Sequence, residues 1–276
     1  MIFMFPEHRM KALTLSYDDG VEQDIRLMDI LDRSGILATF NLNSGCFSPE
    51  GTVFPEGQVH RRLSEKGALS LYGTHAHHEV AVHGLCHAHP TDLSPADRLY
   101  EFSEDRRRLE ALFGRIIRGA AYAYGQFDDE TVETLRACGL VYARGVHSTH
   151  SFDIPRDFLR LQPTCHHDDP ELFALWNTFV TTRSDRPQLF YLWGHSYEFE
   201  AHDNWQRMED FCLTAGGHPD VWYCTNLQLY DYVDACRRVQ KSFSHSLIHN
   251  PSALSVCFKD DQGKQHTVAP GETISL

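Results

Sequence analysis

Short β-rich runs alternate with segments of helical period along most of this chain, and that alternation constrains its architecture more than any other feature. Strands that are each followed by a helix pair in parallel, because the crossover returns the chain to the same end of the sheet. Lys11 to Tyr17 (KALTLSY) reads as the first such strand. Residues 22 to 34 follow with Ile25, Met28 and Leu31 at helical spacing, Gly35 offers a left-handed cap, and ILATFNLNS reads as the next strand. A second unit runs from EVAVHG into a helix opened by Ser94-Pro95, carrying Leu99, Phe102, Leu109 and Leu112 and closed at Gly114. AAYAYG, the helix TVETLRAC behind an Asp128-Asp129 cap, a stop at Gly139 and the strand LVYARGV continue the pattern. It breaks between His147 and Arg186, where polar residues, prolines and the tract CHHDD read as a long loop. It resumes with QLFYLWGHS, a helix from about Trp205 to Leu213, the strand VWYCTN and a helix from about Leu227 to Val239.

A chain of 276 residues, 42% of them apolar, suits one large α/β domain. Residues 1–240 are expected to form that domain, on a parallel sheet that is either open or closed into a barrel. Residues 241–276, which contain SALSVCF, KQHTVA and ETISL, are expected to form a short antiparallel β extension packed on it. Lys and Arg number 25 against 38 Asp and Glu, and the resulting charge of −13 disfavours nucleic acid and anionic membranes as partners. No 18-residue apolar run occurs, and the opening MIFMFPEHRMKALTLSYDDG has no apolar signal core, so the expected location is cytoplasmic. The eight cysteines form no C-x-x-C pair and read as reduced thiols.

In a parallel sheet the carboxyl ends of the strands share one rim, where ligands bind. Asp18-Asp19, His83 and His87, Tyr124-Gly125, Arg144 and His195 all follow expected strands. Six of the 18 histidines fall between His75 and His89. His83-Gly-Leu-Cys-His87 presents two imidazoles that converge either on a helix face or in a turn, and it lacks the Glu of H-E-x-x-H. With a carboxylate from the first strand they make a two-histidine, one-carboxylate set, which zinc hydrolases and non-haem iron oxygenases both use. The second acid of the pair is then free to handle protons. A carboxylate of pKa about 4 faces a gap of ~12 units, or ~16 kcal/mol, against bulk water, but only ~3 units, or ~4 kcal/mol, against water on a cation. His75, His77 and His78 precede their strand and read as surface residues, and His89 breaks the register of the ligand pair. Ser196 lacks the G-x-S-x-G elbow, and no G-x-G-x-x-G or P-loop pattern supports a nucleotide cofactor.

Ser16-Tyr17-Asp18-Asp19-Gly20 resembles the Thr-Phe-Asp-Asp-Gly motif, and His83 to His87 the His-x-x-x-His motif, of the polysaccharide deacetylases of carbohydrate esterase family 4. The resemblance implies a distorted (β/α)7 barrel, here with the small C-terminal β appendage. It assigns Asp18 as general base and Asp19, His83 and His87 as ligands of one divalent cation, zinc first, with cobalt, nickel, manganese or iron as substitutes. Ala121-Tyr122-Ala123-Tyr124-Gly125 resembles the third motif without its arginine, for which Arg144 is a spatial substitute, and the Tyr124 backbone amide would hold the oxyanion. Leu192-Trp193-Gly194-His195 resembles the fifth motif, making His195 the acid that protonates the departing amine. The aspartate of the fourth motif has no match, with Asp153 and Asp157 as candidates. Gly125, Arg144, His166, His167 and Trp193 would contact substrate. The implied activity is metal-dependent cleavage of a non-peptide C–N bond, deacetylating an N-acetylated amino sugar or related small molecule. A non-haem iron oxygenase and a catalytically inactive carbohydrate-binding protein are the alternatives.

Overall fold

The computed structural model describes residues 1–276. In chain order its elements are β1 (Ile2–Met4), β2 (Lys11–Asp18), α1 (Asp24–Ser34), β3 (Ala38–Leu42), α2 (Glu65–Thr74), β4 (Glu79–Val82) and α3 (Pro95–Phe113). There follow β5 (Gly119–Ala121), α4 (Asp129–Ala137), β6 (Tyr142–Arg144), β7 (Cys165–His166), α5 (Leu172–Thr181), β8 (Gln188–Gly194), α6 (Ser196–Ala201) and α7 (Trp205–Ala215). The chain ends with β9 (Val221–Tyr223), α8 (Asn226–Arg237), β10 (Gln240–Lys241), β11 (Leu247–His249), β12 (Val256–Lys259), β13 (Gln265–Val268) and β14 (Thr273–Ser275).

Every residue of β2 is buried, as a parallel strand covered on both faces must be. It pairs in parallel with β8 along Lys11–Tyr17, with β3 at Leu15–Asp18 and with β9 at Lys11–Leu13. The sheet runs in the order β6-β5-β4-β3-β2-β8-β7. The segment that leads into β7 bridges the β6 edge, through Leu161 N–H to Ala143 O at 3.1 Å and Gly145 N–H to Leu161 O at 2.9 Å. The result is a curled parallel sheet of seven strands with helices outside it, a distorted (β/α)7 fold, with β9 as an added strand. No helix is long and apolar enough to cross a membrane.

The strand period of two divides β2 between two environments. Leu13, Leu15 and Tyr17 join the main apolar cluster with Leu27, Leu31 and Phe211 from the surrounding helices. The alternate residues Ala12, Thr14, Ser16 and Asp18 face the other way, where Ala12 joins a second apolar cluster with Leu189, Leu229 and Val233 and the residues beyond it enter a polar network. Thr14 Oγ1 donates to Asn226 Oδ1 at 2.8 Å, and Asn226 Nδ2 to the Tyr191 hydroxyl at 2.8 Å. Glu79 accepts from Thr39 Oγ1 at 2.8 Å, the Tyr142 hydroxyl at 2.7 Å and Leu227 N–H at 2.9 Å. The same alternation carries Asp18 to the interior at the upper rim.

Local signals act where expected: Gly35 and Gly114 cap α1 and α3 in the left-handed region, and Ser94 and Asp128 cap α3 and α4 through their side chains. Three stretches differ from the sequence expectation. The segment 147–186 is not one loop; it holds β7 and the ten-residue helix α5, which buries Leu172, Trp176 and Phe179. AAYAYG stays extended only to Ala121 and then turns through Ala123–Gly125. The helix α2, capped by Ser64, fills the connection between β3 and β4. At the chain ends, β12 pairs antiparallel with β13 and with β1, while β10, β11 and β14 form a second small sheet. Ala235 of α8 shares an apolar cluster with Ile248, Val256, Phe258 and Val268 of these strands.

Leu15 is fully buried at the centre of the sheet. Leu15→Ala is expected to cost about 2–5 kcal/mol, read as a lower urea midpoint with an unchanged slope.

Candidate active site

β2 ends at Asp18, and Asp19 turns the chain with φ 85°, in the left-handed region that an L side chain rarely adopts. That turn separates the two neighbouring carboxylates. Asp18 points into the barrel, where Arg144 Nη2 from β6 donates to both of its oxygens and Asn41 Nδ2 to Oδ1 at 2.8 Å. Asp19 points along the rim. Its Oδ1 accepts from Arg62 Nη2 at 2.8 Å, and its Oδ2 stands 3.1 Å from His60 Nε2.

His83 and His87 approach the same point from the loop after β4, which is a turn and not a helix. Asn43 Nδ2 donates to His83 O at 2.7 Å and Gly84 O at 2.6 Å. Two buried acids of α3 hold the other side: Asp105 Oδ2 accepts from His83 N–H at 3.2 Å, and Glu101 Oε1 from Cys86 N–H at 2.8 Å. Gly84 has φ 83°, and a Cβ there would stand 3.1 Å from Glu101 Oε1, so the loop needs glycine. His83 Nδ1 donates to Ala121 O at 3.0 Å, which fixes the tautomer and leaves a lone pair on Nε2. That Nε2 is buried with no hydrogen-bond partner in the protein. Nε2 lies 4.0 Å from Asp19 Oδ1 and 3.7 Å from Asp18 Oδ2, and His87 Nε2 lies 3.8 Å from Asp19 Oδ1. The ligand atoms of Asp19, His83 and His87 all fall within 4.8 Å of one another. An orphaned imidazole nitrogen, a second imidazole and a carboxylate at this spacing fit a divalent cation.

Electrostatics assigns the protonation states. Burial opposes ionisation of Asp18, but Arg144, with His83 and His195, more than offsets it and holds the carboxyl below its usual range. Asp19 is likewise lowered, with His60 and then Arg62 outweighing burial. Burial pushes His83 down, and burial reinforced by His83 pushes His87 down to about 4, so both rings are neutral donors at pH 7. His195, at the end of β8, moves the other way: burial opposes its charge, but Glu198 and Asp18 raise it. Its Nε2 faces Asp18 Oδ2 at 3.8 Å. The arrangement therefore sets an ionised carboxylate, three groups spaced to hold a cation and an imidazole with raised proton affinity beside one another.

The remaining expected residues divide into two groups. Tyr124 sits in the turn after β5 with φ 57°, its ring edge-on to His87 at 4.5 Å and stacked on His89 at 3.8 Å. Gly125 packs on Val146, which a Cβ would approach to 2.3 Å. Trp193 lies under the Arg144 guanidinium at 4.5 Å, and its buried Nε1 has no partner. His166 and His167 face Glu198, with Nε2 atoms 3.1 and 3.2 Å from its Oε2. Asp153 and Asp157 spend their carboxylates locally, on Ser151 and on the turn at Leu159 and Arg160. The carboxylate beside His195 is Glu198, 3.3 Å from Nδ1. His60, Arg62, Asn41 and Glu198 escaped the sequence reading; the basic run His60-Arg61-Arg62 was the available signal for two of them. His78 is buried and not a surface residue; its Nδ1 accepts from Ala38 N–H at 3.1 Å. His77 is half-exposed and contacts Asp32 at 2.6 Å.

The domain profile of the polysaccharide deacetylases matches residues 6–143. No curated protein matches the chain. Among solved structures, the chain aligns with one described as a polysaccharide deacetylase from Mycobacterium smegmatis at a TM-score of 0.60 and 14% identity, over 86% of this chain and 95% of that one. It aligns with the Xyl-CE4 domain of a multidomain xylanase from the hindgut metagenome of Trinervitermes trinervoides at 0.51 and 15% identity, over 82% and 92%. At these identities the likeness concerns the fold, which is the curled (β/α)7 sheet described above.

Arg144→Met strands the buried Asp18 charge and is expected to cost about 3–5 kcal/mol in urea unfolding at pH 7. Asp24, buried between Ser196 Oγ and the Tyr72 hydroxyl at 2.6 Å each, is pushed by burial up to about 7. Its folded pKa lies above the unfolded value, so its contribution is full below about pH 4 and declines as pH rises through 7. Asp24→Asn removes that decline. The stability of the natural protein relative to this variant is expected to fall by up to about 4 kcal/mol between pH 4 and 8.

Proposed function

Because the chain belongs to the polysaccharide deacetylase family, we propose that it is a metal-dependent hydrolase of a non-peptide amide bond, releasing acetate from an N-acetylated amino sugar or related small molecule. The observation that carries this reading is the meeting of Asp19, His83 Nε2 and His87 Nε2 beside an ionised Asp18. A divalent cation, zinc first, supplies when bound the charge that polarises the acetyl carbonyl and brings a water toward a pKa of about 7.

The protein's own groups do the rest. Asp18 accepts the proton of the attacking water, and the two hydrogen bonds from Arg144 keep its carboxylate aimed and charged. The Tyr124 backbone N–H is assigned to the carbonyl oxygen as negative charge develops there, a contribution of ~3–4 kcal/mol for such a donor. His195 Nε2 delivers its proton to the amine nitrogen as the C–N bond breaks, leaving acetate and the free amine. The exposed Tyr124 ring offers a face for a sugar. Asn41 Nδ2 donates to the same Oδ1 that Arg144 holds and helps to fix the carboxylate.

Acetate release from N-acetylated amino sugars and their oligomers tests the reading. Chelation is expected to abolish the rate and added zinc to restore it, while D18N loses at least about 100-fold in kcat and keeps its metal. A full rate in the chelated enzyme or in D18N overturns the mechanism. Dioxygen uptake by the iron-loaded protein overturns the reaction class.

A further inference from the structure

The strand end that carries His195 also carries a polar cluster with no part in the mechanism above. Glu198 lies on the first turn of α6, three residues after His195, and its Oε2 accepts from the His195 backbone N–H at 3.1 Å. That contact fixes the carboxylate against the residue it faces. Oε1 stands 3.3 Å from His195 Nδ1, and Oε2 stands 3.1 Å from His166 Nε2 and 3.2 Å from His167 Nε2. One carboxylate thus faces three imidazoles.

Tautomers decide what this cluster is. Asp168 N–H donates to His166 Nδ1 at 3.2 Å, so the proton of the neutral ring sits on Nε2, toward Glu198. His167 is 1% exposed, and neither ring nitrogen has a well-aligned hydrogen-bond partner. Glu198 is its nearest acid, with Asp168 Oδ1 farther off at 3.8 Å. Placing its proton on Nε2 gives that proton an acceptor; placing it on Nδ1 would aim a lone pair at a carboxylate. The ring packs close to Gly194, where a Cβ would come within 2.0 Å of Nδ1. With the two clamp nitrogens and one backbone N–H all close to Oε2, Oε1 is the acceptor nearest His195 Nδ1, a buried nitrogen with no other partner. That arrangement turns Nε2 of His195 toward Asp18 and the reaction.

We infer that Glu198 is a positioning residue for the acid His195, and that His166 and His167 are the clamp that aims it. The inference rests on the hydrolase reading above and deepens it: the support for the acid comes from the strand end and helix that carry the acid itself. The same three side chains could instead gather a second cation, but two protonated Nε2 atoms leave no lone pair for one.

The test uses the full chain, zinc-loaded. In ¹⁵N NMR of labelled histidine, His195 is expected to carry its proton on Nδ1 in the natural protein and to lose that preference in E198Q. On an N-acetylated amino sugar, E198Q is expected to lose about 10²–10⁴-fold in kcat with little change in KM, and E198D to lose less. On 4-nitrophenyl acetate, whose leaving group departs without a proton, the loss is expected to stay under about tenfold. Equal losses on both substrates, or an undiminished amide rate, overturn the inference. So does a second zinc per chain that disappears in E198Q. A His195 tautomer that depends on Glu198, in a protein that turns over neither substrate, keeps the pairing and overturns the proposed function.

Discussion

The ion pair between Asp18 and Arg144 joins β2 to β6 across the interior of the barrel, and both side chains are almost entirely withdrawn from water. A charge buried there alone would cost several kcal/mol, so each partner is tolerable only because the other is present. The pair ties together strands that are four places apart in the sheet order and sets the direction in which the rim acids face. The polar interior below it follows from the same constraint. Asn41 supplies Asp18 with a further donor and also donates to Ser16 Oγ at 2.7 Å, while Tyr191, Asn226, Thr14, Thr39 and Glu79 satisfy one another down the axis. An apolar residue at 41 would leave Asp18 without this donor.

Much of the architecture was legible because period and capping act locally. KALTLSY, the Gly35 cap, the Ser94-Pro95 start and the Asp128 cap each report on their own few residues, and each formed where the pattern placed it. The helix α5 was hidden because its apolar stripe, Leu172, Trp176 and Phe179, is flanked by the polar and proline-containing sequence that made 147–186 read as loop. AAYAYG misled in the opposite direction. Its small and aromatic residues suit a strand, but Tyr124 and Gly125 take positive φ and turn the chain toward the rim.

The site was legible to the extent that strand ends announce it. Asp18, Asp19, His83, His87, Arg144 and His195 meet at one rim because parallel strands bring their carboxyl ends together. His60 and Arg62 were not, since they reach Asp19 from a loop whose path depends on the bridge between Val21 and Arg62, and no local spacing encodes that. Histidine content was a poor guide by itself. His83 presents an unpartnered lone pair to the rim, His166 faces Glu198 and His78 presents a lone pair to a backbone amide, so what each ring offers depends on what its second nitrogen touches.

The close contact between His167 and Gly194 couples what these two positions can hold. Any side chain at 194 would collide with the imidazole, while a smaller residue at 167 would open space above the strand that residue 194 could then fill. The order of the two changes therefore matters: a side chain at 194 is accommodated only after position 167 has been made smaller, whereas the reverse order meets the clash first.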